Sequence, residues 1–112
     1  MKYTLILFII LSAQVFTQDK FFIYFTDKGS VNANSLNKNS AEYIQAVSDL
    51  SQKAVERRIK NMGEDFINYE DLPINKNYIV ELENLNIQIR HKLNWFNSVS
   101  AYLTSDQIKI LQ

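Results

Sequence analysis

The chain has 112 residues, 46% of them hydrophobic, with twelve basic and twelve acidic side chains and a formal net charge of zero. That length holds one domain of ordinary size, and a neutral chain offers no electrostatic footprint for nucleic acid. Cysteine is absent, His91 is the single histidine, and Gly29 and Gly63 are the only glycines. Thiol catalysis, disulfides, Cys/His zinc sites and a glycine-rich phosphate loop are thereby excluded, and no cofactor or metal is expected.

The first seventeen residues read as a secretory signal peptide. Lys2 supplies a positive start, Thr4 to Leu11 is apolar after its first residue, and Ser12, Ala13 and Gln14 lead into Val15-Phe16-Thr17. Such a core is too short to cross roughly 30 Å of hydrocarbon at about 1.5 Å per residue. Cleavage after Thr17 is expected, with cleavage after Ala13 as the alternative. The chain is therefore expected to be secreted or periplasmic and to have no membrane contact once the signal is removed. Residues 18–112 then carry eleven basic and twelve acidic groups, a net charge of −1.

Phe21 to Thr26 is an aromatic and β-branched run that predicts a strand, and the polar stretch 29–40 predicts a loop. From Ala41 the period changes: Ile44, Val47, Leu50, Ala54, Val55, Ile59 and Met62 recur at helical steps. Asn39 with Glu42 is the expected capping pair, and Gly63 the expected C-terminal stop. Ser51 offers a fresh start, so one helix or two pieces remain open.

Pro73 closes a loop, and Asn75 caps a short helix carrying Tyr78, Ile79, Leu82 and Leu85, with Asn86 where glycine is usual. Ile87, Ile89, His91, Leu93 and Trp95 alternate with polar residues, the period-two mark of a strand with one buried face. Phe96-Asn97 suits a turn. Ser98 to Thr104 alternates again with Val99, Ala101 and Leu103 inward, and Ser105 is expected to cap a final helix with Ile108 and Leu111 in phase. The order predicts an α+β domain of ferredoxin-like (split β-α-β) type, an antiparallel sheet with helices on one face. A fourth strand would normally follow the last helix, so the sheet is expected to lack its last strand.

None of the candidate chemistry is well equipped. His91 lies on the alternating face with Leu93 and Trp95 and reads as a strand residue, with no strained nucleophile turn to serve. Glu64-Asp65 and Glu70-Asp71 lack the spacing that gathers six to eight oxygens about calcium, and read as solvated loops. Arg57-Arg58, near a helix C-terminus, reads as a solvated face favoured by the macrodipole. The sheet is more informative. If Phe21, Ile23 and Phe25 face the helices with Val99, Ala101 and Leu103, then Phe22, Tyr24 and Tyr102 point away together. They would form an apolar patch of the kind that marks a protein contact. The opposite outcomes are a reversed register, or helix 41–62 covering that face.

An ordered set of residues resembles a known family. It comprises Tyr24-Phe25-Thr26-Asp27-Lys28; Leu50-Ser51 with Lys53-Ala54 and Arg57-Arg58; Asp71-Leu72-Pro73-Ile74; Tyr78 with Leu82 and Leu85; and Trp95, Asn97, Ser98 and Val99. With the signal peptide before it, the set resembles the N-terminal propeptide region of secreted subtilisin-like serine peptidases of Bacteroidetes-type bacteria. It departs from the family at Asn86, where glycine is usual, and in the longer loop 29–40. No Asp-Thr/Ser-Gly, His-Gly-Thr or Gly-Thr-Ser-Met block occurs, so no catalytic residue carries over. The resemblance implies a noncatalytic propeptide-like domain at 18–112, C-terminally incomplete, that assists the folding of a subtilisin-type serine peptidase domain and inhibits it until removed. Phe22, Tyr24 and Tyr102 are then the expected interface. A free-standing secreted protease inhibitor or binding protein is the alternative.

Overall fold

The computed structural model describes residues 18–29 and 31–112. The expected signal peptide, residues 1–17, lies outside the described residues. The aromatic run after it forms β1 (Asp19–Tyr24), two residues earlier than its apolar content suggests. The helical stretch from Ala41, left open as one helix or two pieces, is two: α1 (Ala41–Ser48) and α2 (Gln52–Met62). Ser51 accepts a hydrogen bond from the Ala54 N–H and begins α2, so a capping side chain interrupts an apolar period that runs straight through. The cap of α1 is Ser40, which accepts from the Tyr43 N–H, and not the expected Asn39. Asn39 instead belongs to the preceding turn, where its N–H donates to the Asn37 side chain.

A 3-10 turn at Tyr69–Asp71 precedes α3 (Lys76–Asn84), which Asn75 caps by accepting from the Asn77 N–H. The end of α3 is a Schellman arrangement. Asn86 has φ 58°, its N–H reaches Glu83 O at 2.9 Å, and the Ile87 N–H reaches Leu82 O at 3.1 Å. Asparagine here fills the left-handed position that glycine would fill. Next come β2 (Gln88–Leu93), a 3-10 turn at Asn94–Phe96, β3 (Ser98–Leu103) and α4 (Ser105–Leu111). Thr104, not Ser105, caps α4: its hydroxyl accepts from the Gln107 N–H while the Gln107 side chain accepts from the Thr104 N–H.

The three strands form an antiparallel sheet in the order β1-β3-β2. Its inner face carries Val99, Ala101 and Leu103 of the central strand with Phe21, Ile23 and Ile89, packed under Ile79 and Leu82 of α3 and Ile108 of α4. The expected inward set of β3 is therefore the observed one, and burying each large aliphatic contributes about 1.5–3 kcal/mol.

Helix α1 does not join that layer. Tyr43 and Ala46 pack with Ile67 and Leu72 in a second core, against Val47, Leu50, Phe66 and Tyr69. Helix α2 buries no residue fully. The expectation that the helices all lie on one face of the sheet is corrected accordingly: α3 and α4 cover the sheet, and the chain between β1 and α3 builds its own apolar centre. Gly29 lets the chain turn after Lys28 and pass close to Asn75. It has φ +89°, and a Cβ there would stand 2.1 Å from Asn75 Nδ2.

Candidate functional site

The outer face of the sheet is set by register. Phe22 pairs with Ser100 and Tyr24 with Ser98 across β1 and β3, and Lys20 pairs with Tyr102. Partners in an antiparallel pair share a face, so Phe22, Tyr24 and Tyr102 lie together on the side away from α3 and α4. Phe22 is 54% exposed and Tyr24 67%, with ring centroids 6.5 Å apart. Tyr102 is partly buried, and the Arg90 guanidinium stands over its ring at 5.7 Å.

Strand β2 corrects a sequence expectation. Ile89 pairs with Ala101 but His91 pairs with Ser100, so a bulge takes up one extra residue at Arg90. The phase flips there. His91 leaves the face of Ile87 and Ile89 and lies exposed on the outer face, opposite Ser100 and in line with Phe22. Trp95, expected to continue the same buried row, sits instead in the 3-10 turn and is 58% exposed.

Between these side chains, Ser98 and Ser100 are buried, and neither hydroxyl meets a hydrogen-bond partner among the described residues.

A second constellation binds the two cores together, and sequence reasoning missed it. Lys28 is only 3% exposed. Its ammonium donates to Glu70 O at 3.1 Å, Asn94 O at 2.7 Å and Leu72 O, and lies 5.6 Å from the Tyr69 ring centroid. Burial pushes its pKa below the ordinary lysine value, against the opposing pull of Glu70 and Asp71. Asp71 is not part of a solvated acidic pair. It is buried and takes a two-pronged bond from Arg58 at 2.7 and 3.1 Å, together with the Asn68 N–H at 2.9 Å and the Trp95 indole N–H at 3.0 Å. Burial alone would raise its pKa, but the bonds from Arg58, Asn68 and Trp95 outweigh it and hold the carboxyl below the usual carboxylate range.

Arg58 accordingly leaves the solvated face assigned to it, whereas Arg57 stays exposed. Asp65 is exposed and pairs with Lys38 at 2.8 Å. Nothing local in the sequence marks Lys28, because its three carbonyl acceptors come from segments more than forty residues away. The only hint was an Arg-Arg pair and an Asp-Leu-Pro segment in one short stretch of chain.

Among the described residues no group of three or more His, Asp or Glu side chains converges as a metal site, and no helix is long and apolar enough to cross a membrane. The fold and the exposed face thus define a small α+β domain that presents an aromatic sheet surface to its surroundings. Residues 20–112 match the family model of the peptidase S8 propeptide domain of Bacteroidota, and the chain belongs to that family. It is a propeptide module of the subtilisin-type peptidases. No curated protein and no solved structure matches it.

Proposed function

We propose that this domain is the noncatalytic propeptide of a secreted subtilisin-type serine peptidase, acting as intramolecular chaperone and temporary inhibitor of its own peptidase domain. The outer sheet face, through Phe22, Tyr24 and Tyr102, is the surface that packs on the peptidase. The observation that carries this reading is the exposure of the two β1 aromatics on a domain of a propeptide family. Exposed aromatic clusters favour burial against a partner. The β1-β3-β2 order supports a split β-α-β, ferredoxin-like arrangement of the sheet, and residues 1–17 are proposed as the leader that exports the chain.

The chaperone action rests on differential binding. A partner that binds the native peptidase and not the unfolded chain stabilises the native state by RT ln(1 + [L]/Kd), about 2.7 kcal/mol at a hundredfold excess over Kd. Inhibition requires in addition that the propeptide tail occupy the peptidase cleft, and binding through this face would hold the tail there.

The test is refolding of denatured cognate S8 peptidase domain with and without this chain, followed by titration of the active enzyme with it. Recovery of activity should rise with the chain present, and the refolded enzyme should be inhibited by it. The Tyr24→Ala/Tyr102→Ala variant should fold, since neither ring belongs to an apolar core, yet weaken inhibition by about tenfold or more. Unchanged inhibition by that variant would place the interface elsewhere. Equal potency against unrelated proteases would favour a free-standing inhibitor.

A further inference from the structure

The turn between β2 and β3 carries the most exposed aromatic of the described chain. Phe96 is 69% exposed, and Trp95 beside it 58%. A tight strand connection is ordinarily filled by Asn, Asp or Gly, which meet its backbone demands and keep it soluble. Here Asn94 opens the connection and Asn97 closes it with φ 46° and ψ 49°, but the two residues between them are bulky and apolar.

This turn is held from three sides. Lys28 donates to Asn94 O at 2.7 Å, Asp71 takes the Trp95 indole N–H at 3.0 Å, and the Asn97 side chain donates to Phe25 O and Asp27 O at 2.9 and 2.7 Å. A buried ammonium is costly to desolvate, and here part of its bonding is spent on fixing the turn's backbone. Holding the indole by its N–H leaves the ring facing outward in one orientation, which lowers the entropy lost when a partner covers it.

The turn also sits at the end of the sheet where the aromatic face ends. Tyr24 pairs with Ser98, and the Phe25 N–H reaches Asn97 O at 2.8 Å. Fully exposed, three aromatic residues offer about 150–250 Å² each. Phe22, Tyr24 and Tyr102 are already covered in part, so they fall short of the roughly 800 Å² that each partner gives to a stable complex. The adjoining Trp95 and Phe96 supply apolar area of the residue types that dominate binding energy.

We propose that the Asn94–Phe96 turn is a second anchor for the S8 peptidase domain, with Trp95 and Phe96 seated in an apolar crevice of that domain beside the sheet contact. This rests on the propeptide reading above. Phe96 is the discriminating position, because Trp95→Ala would also strip a hydrogen bond from Asp71, whereas Phe96 supports neither core.

Trp95 is the chain's single tryptophan, so incorporating 5-fluorotryptophan gives one fluorine resonance that reports on this turn alone. Adding unlabelled cognate peptidase domain to the labelled full chain should shift that resonance in a saturable way. Phe96→Ala should raise the inhibition constant about tenfold with the melting temperature unchanged. A resonance that stays put at saturating peptidase while inhibition persists would overturn the proposal. So would a resonance that moves on concentrating the labelled chain alone and no further with peptidase, since the occupant would then be a second copy of the chain. If Tyr24→Ala/Tyr102→Ala weakens inhibition and Phe96→Ala does not, the second anchor fails and the propeptide reading stands. If the unaltered chain neither binds nor inhibits the peptidase, both fail.

Discussion

Asp71 gathers four donors on one carboxylate: both Arg58 nitrogens, the Asn68 N–H and the Trp95 indole. Its pKa is lowered in the fold. A carboxyl with a depressed native pKa contributes stability that is fully present above its unfolded value, about 3.9. That contribution is lost as pH falls through the native pKa, because the unfolded chain then binds the proton first. Asp71→Asn keeps the shape but surrenders the charge, leaving the Arg58 guanidinium without its counterion. It should cost roughly 2–3 kcal/mol at neutral pH. Urea unfolding across pH 2 to 7 checks both parts: the unaltered chain should lose stability steeply below about pH 4, and Asp71→Asn should show a flatter acid limb. Parallel curves would mean that the bonds to Asp71 do not set the acid limit. The residue was hidden in sequence because Glu70-Asp71 is an ordinary surface pair until a helix two segments earlier delivers Arg58 to one of them.

At the scale of the elements, Asn86 shows how one backbone position ends a helix. Its φ of 58° closes α3, and the Gln107 side chain of α4 then donates to Leu85 O and Asn86 O at 3.2 Å. Asn86→Gly should leave stability within about 0.5 kcal/mol, the relief of the left-handed conformation offsetting the extra freedom of the unfolded chain. Asn86→Ala should cost about 1–2 kcal/mol, because a Cβ without a polar head is disfavoured there. Thermal melts of the two variants separate these outcomes. This stop was legible because the apolar helical period ends at Leu85 and a residue tolerant of positive φ follows. The inward set Val99, Ala101 and Leu103 was legible for a similar reason, since strict alternation with one buried face leaves little freedom. The cap of α1, though not its first residue Ala41, was read one residue early, because Asn39 and Ser40 are both good caps and only the geometry of the preceding turn selects between them. The bulge at Arg90 was not legible at all. Alternation from Ile87 to Trp95 looks continuous on paper, and the slip that moves His91 outward answers to the pairing with β3, which no local pattern contains. For the candidate site this meant that the β1 and β3 aromatics were placed by alternation alone, whereas His91, Arg90 and the Trp95-Phe96 turn required the register.

Across the whole molecule, the two apolar centres share no fully buried residue and are joined through polar atoms. Lys28 follows β1, yet it bonds to the carbonyls of Leu72 in the second core, of Glu70 beside it and of Asn94 in the sheet turn. Trp95 and Asp71 make a parallel tie. Cores joined this way can open separately, with local free energies below the global one. Lys28→Met preserves most of the stem's apolar contact and removes the ammonium, leaving its carbonyl acceptors to find water or go unpaired. The expected result is uneven. By hydrogen exchange, amides of α1 should exchange about tenfold faster or more, a loss of roughly 1.4 kcal/mol in local opening, while those of β3 keep most of their protection. A uniform loss across both regions would show that the domain opens as one unit and that the polar joint merely adds to global stability. An uneven loss has a consequence for the proposed interface as well. The Asn94–Phe96 turn is fastened to both cores, so loosening the second core releases the turn while the sheet face stays formed. Lys28→Met should then retain the contact of Phe22, Tyr24 and Tyr102 with the peptidase and lose that of Trp95 and Phe96. Its inhibition constant should rise to about the level of Phe96→Ala, and adding Phe96→Ala to it should raise the constant little further, because both changes withdraw the same anchor.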